Sequence, residues 1–108
     1  MELASIVPDL TEYVESRSAD FPNALKRVIV FGSFARGTAR VGSDVDIALV
    51  SESAWEMSDK GVMRDIFDDF APGVSLSLFY TTLSRLSAGD SRDANYWIRE
   101  EGVELWRR

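Results

Sequence analysis

Two stretches decide the reading of this chain: Val28-Ile29-Val30-Phe31-Gly32-Ser33-Phe34-Ala35-Arg36-Gly37 and Ser43-Asp44-Val45-Asp46-Ile47-Ala48-Leu49-Val50. The first begins as a β-branched apolar run ended by Gly32, which reads as a buried strand. Ser33 then offers an N-cap for a short helix through Ala35-Arg36, and Gly37 stops it. The second stretch is another strand. Its later part is apolar on both faces, so it belongs in the middle of a sheet covered on both sides. Asp44 and Asp46 are two positions apart and project from one face at its start.

Outward from these strands the pattern alternates. Ile6, Val7, Leu10, Tyr13 and Val14 recur at helical spacing, with Pro8 suited to a first turn. Phe21-Pro22-Asn23 punctuates before the first strand. Trp55, Val62, Met63, Ile66, Phe67 and Phe70 predict a helix, Pro72-Gly73 a turn, and Val74 to Tyr80 a third strand. Thr81 or Thr82 caps a short helix through Leu86. Ser91 to Glu101 reads as a last helix with Ala94, Trp97 and Ile98 inward, and Val103 to Trp106 as a last strand. This order predicts an α/β (α+β) fold, a small mixed sheet flanked by helices. A length of 108 residues fits one domain spanning 1–108.

The junction of the two stretches carries the chemistry. A glycine lets backbone approach a ligand closely. A helix start offers free N–H groups and a positive dipole end, and the Ser33 hydroxyl adds a donor. A triphosphate fits such a turn. Two carboxylates on one face can share divalent cations that neutralise the phosphates. Positioning and electrostatics then supply most of phosphoryl-transfer catalysis. Arg36 and Arg40 are the cations nearest the turn, placed either to touch phosphate or to pair with surface acids.

Composition removes the rival chemistries. The chain contains neither cysteine nor histidine, which excludes disulfides, cysteine zinc sites and His-dependent nucleophilic catalysis. A metal must be held by oxygen, which points to Mg²⁺ or Mn²⁺. The net charge of −6 argues against binding nucleic acid over a broad surface. It suits a small ligand or a basic partner. A domain this small also leaves room for a permanent partner or a homo-oligomer. No membrane-length apolar run or basic leader start is visible, so the expected location is the cytoplasm.

With ten residues between Ser33 and Asp44, the two stretches resemble the GS-x10-D-x-D signature of the DNA polymerase beta-like nucleotidyltransferase superfamily. Gly32, Ser33, Asp44 and Asp46 match it, and Ala35, Arg36, Gly37 and Ser43 match residues that often accompany it. The chain looks most like the minimal nucleotidyltransferases, and the ending Ile98 to Trp106 is similar to theirs. The resemblance implies a catalytic and metal-holding pair, Asp44 and Asp46. It implies nucleotide binding by Gly32, Ser33, Arg36 and Ser43, with Mg²⁺ (or Mn²⁺) as cofactor and ATP or another NTP as substrate. It further implies transfer of a nucleoside monophosphate, AMP from ATP, to a hydroxyl acceptor. Small domains of this kind resemble the antitoxin of a toxin–antitoxin pair whose partner is a helical HEPN-type ribonuclease.

The chain departs from that pattern at one place. The family usually supplies a third carboxylate from a later strand, here Val74 to Tyr80. Its same-face candidates are Ser75 and Ser77, and neither is acidic. This leaves three readings: a transferase acting on a protein partner, a catalytically weak or inactive module that works by binding, and a small-molecule nucleotidyltransferase.

Overall fold

The computed structural model describes residues 2–108. A helix α1, Leu3–Arg17, and a 3₁₀ turn, Ser18–Asp20, lead into strand β1, Leu25–Phe31. A one-turn helix α2, Ser33–Arg36, and a loop lead to β2, Val45–Ser51. Then follow α3, Met57–Asp68, β3, Leu76–Thr82, α4, Leu83–Ala88, α5, Ala94–Glu101, and β4, Val103–Arg107. The sheet order is β3-β2-β1-β4, with β2 central as its apolar run predicts. β1 is antiparallel to β2 and β4, whereas β2 and β3 are parallel. A parallel pair needs a crossover, and α3 supplies it.

Strand alternation splits the core in two. Val28, Val30, Val45, Ile47 and Leu49 face α1 and α3, where Leu10, Val14, Met63 and Phe67 complete a buried cluster. Each fully buried side chain of this size contributes about 1.5–3 kcal/mol. Ile29, Ala48 and Val50 face the other way and pack with Leu86 of α4 and Ile98 of α5. Thr82 caps α4 by accepting from the Arg85 N–H at 3.3 Å, as its position suggests.

Four local expectations are corrected. Helix α1 starts early enough that Pro8 lies inside it rather than in its first turn; the ring stands on the exposed side, where a lost backbone donor costs least. Helix α3 begins at Met57, so Trp55 belongs to the preceding loop, its indole N–H donating to Thr81 O at 2.8 Å. Val62 is exposed rather than inward. Helix α5 begins at Ala94, capped by Asp93, whose carboxylate accepts from Asn95 N–H at 2.8 Å. That cap phases the helix so that Asn95 and Ile98 are buried and Trp97 is 43% exposed.

Candidate functional site

The end of β1, the start of β2 and the start of β3 meet at one edge of the molecule. Gly32 leaves β1 with φ 72° and ψ −149°, a backbone conformation that disfavours residues with a Cβ. It occupies the cap position of α2, so Ser33 is the first helical residue and not the cap expected from the sequence. Gly37 ends the helix in the left-handed conformation, φ 77° and ψ 18°, as expected.

Gly32 has a second reason to be glycine. A Cβ there would overlap the Asp46 carboxylate. The turn and the carboxylate are therefore in direct apposition, although fourteen positions separate them in the chain. Asp46 lies within β2, opposite Phe31 of β1 and Ser77 of β3. Asp44 stands one residue before the strand, next to Val45, whose N–H donates to Ser75 O at 2.9 Å. Burial first, and the Asp44 charge second, raise the Asp46 carboxyl above its ordinary value, while the Arg36 guanidinium opposes them. These charges therefore act on one another across the site. A divalent cation would relieve the repulsion between the two carboxylates.

The remaining predicted residues separate. Arg36 lies close enough to influence Asp46, yet its guanidinium pairs with Glu101 at the end of α5, 3.4 Å away. Ser43 closes the loop before β2: its hydroxyl accepts from Arg40 N–H at 3.0 Å and its own N–H donates to Arg40 O at 2.9 Å. Arg40 is exposed. Ser77 is the closer of the two candidate third-acid positions in register, since it pairs with Asp46 itself. Among the described residues, no group of three His, Cys, Asp or Glu side chains could hold a metal ion. Asp44 and Asp46 form a pair without a third member.

Two features escaped the sequence. One is Glu101, which only the fold brings to Arg36. The other is a cavity of about 620 Å³ beside Ser43 and Ser75, with Phe34, Val41 and Val74 in its wall. An apolar Val41 in a loop of Gly, Ser and Arg was its one visible signal; that side chain is 93% exposed.

A mixed sheet with this turn and carboxylate pair defines a nucleotidyltransferase fold. The family model described as a nucleotidyltransferase domain matches residues 10–101, and the chain belongs to that family. Solved structures share the fold. One is a Sulfolobus solfataricus protein assigned as a nucleotidyltransferase, at TM-score 0.61 and 24% identity, covering 98% of this chain and 84% of that one. Another is a toxin–antitoxin with AMP-PNP, at TM-score 0.60 and 17% identity, covering 94% and 73%. A third is a mutant MntA-HpeT toxin–antitoxin, at TM-score 0.58 and 14% identity, also covering 94% and 73%. No curated protein matches the sequence. Among the described residues, no helix is long and apolar enough to cross a membrane.

Proposed function

We propose that this chain is a single nucleotidyltransferase domain that holds ATP and Mg²⁺ at the Gly32-Ser33 turn and transfers AMP to a hydroxyl on a protein partner, as the antitoxin of a toxin–antitoxin pair. The observation that carries this reading is the apposition of Gly32 and Asp46, which sets the backbone turn before α2 directly against the Asp46 carboxylate. Asp44 and Asp46 would hold the cation, which neutralises phosphate charge when bound. The start of α2 and the Ser33 hydroxyl would receive the triphosphate, and Arg36 would exchange Glu101 for phosphate oxygen. The toxin–antitoxin structures of like fold, one of them with AMP-PNP, support both the partner class and the nucleotide. A net charge of −6 suits a basic, RNA-cutting partner in the cytoplasm.

One observation favours a second reading. Ser77 sits beside Asp46 where an acid would complete the site, and a serine hydroxyl is a poor base for activating an acceptor. On this reading the chain binds nucleotide and masks its partner, with little or no turnover. Incubating the co-purified partner with labelled ATP and Mg²⁺ separates the two. Label on the partner, lost in Asp44→Asn, supports transfer. An unlabelled partner that the Asp44→Asn protein still inhibits supports masking, and Ser77→Asp should then raise labelling above background.

A further inference from the structure

A second cavity lies at the opposite end of the sheet. β2 and β3 run parallel and leave it at Ser51 and Thr82. Glu52 lies six positions beyond Asp46, a span of about 20 Å along the strand. The cavity there has a volume of about 390 Å³, and Glu52, Trp55, Lys60, Tyr80, Ser84 and Arg85 are among the residues that line it.

The charge in this cavity is unusual for so acidic a chain. Lys60 and Arg85 both line it, and among the described residues neither joins an ion pair. Three of the acids near them have other partners. Glu52 faces Lys26 at 4.0 Å. Asp90 and Asp93 flank Arg85 in the neighbouring groove, but Asp90 is bound to Arg92 at 2.9 Å and Asp93 caps α5. The wall is rigid and aromatic. Trp55 and Tyr80 meet edge to face at 5.0 Å. The Trp55 indole donates to Thr81 O and Leu49 O at 2.8 and 3.2 Å, and Lys60 Nζ stands 5.2 Å from the Tyr80 ring centre. Two cations outside any ion pair, against the one carboxylate of Glu52, together with hydroxyls and an aromatic wall, match a compact anion with an organic body.

From this arrangement we infer that the Trp55–Lys60–Tyr80–Arg85 cavity is a second ligand site, separate from the Asp44/Asp46 site, that binds a phosphate group. Lys60 and Arg85 provide the charge, and Ser84, whose hydroxyl also bonds that of Thr82 at 3.2 Å, provides hydrogen-bonding capacity. The site needs no metal, because its cations belong to the protein.

The indole N–H signals of three tryptophans give a local readout by NMR, with that of Trp55 assigned through Trp55→Phe. In EDTA, where the carboxylate site has no cation, inorganic phosphate and AMP should each shift the Trp55 signal saturably and leave Trp97 in place. The charge-removing double variant Lys60→Gln/Arg85→Gln should lose at least about tenfold in affinity for both, while Asp44→Asn/Asp46→Asn should keep it. AMP binding tenfold tighter than phosphate identifies a nucleotide site; equal affinities identify a free-phosphate site. No saturable shift of Trp55, an unchanged affinity in the double variant, or an equal response to adenosine would overturn the inference. Circular dichroism checks that the double variant is folded. The exposed Arg85 and half-buried Lys60 make loss of fold unexpected.

Discussion

The two faces of β2 are treated differently. On one face Val45, Ile47 and Leu49 are all fully buried, so the α1/α3 layer covers the strand from end to end. On the other face Ala48 and Val50 are fully buried under α4 and α5, but Asp46 is only half-buried. The second layer stops one residue pair short. A single seven-residue strand thus anchors the fold with its odd positions and presents a carboxylate with an even one, at the margin where the cover ends. Where packing stops, a charge can be kept partly hydrated beside a tight turn; in the middle of the strand its desolvation would be prohibitive.

This contrast makes predictions that differ in size and in what they spare. Leu49→Ala on the closed face should cost about 3 kcal/mol, within the range of buried Leu truncations. Urea unfolding should show a lower midpoint, with metal-dependent ATP affinity of the folded protein unchanged. A loss below about 1 kcal/mol would mean that the closed face does not anchor the fold. Gly32→Ala at the margin should cost about 1–3 kcal/mol, because it forces a Cβ into a positive-φ position and against Asp46. Here ATP binding by calorimetry should be lost as well. Full ATP affinity in that variant would place the triphosphate elsewhere.

The smallest stability effect has the opposite sign. Burial and Asp44 raise the Asp46 carboxyl, so the folded state disfavours its ionised form. Stability is then lost as pH rises from the ordinary value of 3.8 through the raised one. Asp46→Asn should therefore melt at the same temperature or higher at neutral pH, by a gain on the order of 2 °C. The difference should vanish at acid pH, where both side chains are neutral. Metal-dependent ATP binding should be lost. A clear drop in melting temperature at neutral pH would show that the ionised carboxylate is a structural support and not a site residue held at a cost.

Strands β1 and β2 were legible because their apolar runs are continuous and are bounded by Gly32 and by the acids before Ile47, whereas the third strand, expected at Val74 to Tyr80, runs Leu76–Thr82. Asp46 was legible through strand alternation once β2 was known, whereas Asp44 stands one residue before the strand, where alternation does not fix its face. Helix α5 was not, since its phase depends on Asp93 and not Ser91 being the cap. A shift of that kind turns Trp97 outward and brings Asn95 into a buried hydrogen bond with Thr81. The contacts of the site were legible only in part. Gly32 read as an opening for a ligand, but its fit against Asp46 depends on the register of β1 with β2. The Arg36–Glu101 pair joins α2 to α5, a contact that no local pattern encodes.

Ser77 is exposed on an edge strand, and its backbone pairing with Asp46 does not depend on its side chain. The residue that would decide between chemistry and mere retention of nucleotide therefore carries almost none of the folding load. Exchanging it for an acid alters no buried contact, the signature turn, or the Asp44–Asp46 spacing. Should Ser77→Asp confer turnover, activity in this architecture would be gained through one substitution without passing through an unfolded ancestor. Enzymes and silent binders could thus share a lineage while remaining indistinguishable in everything that holds them together.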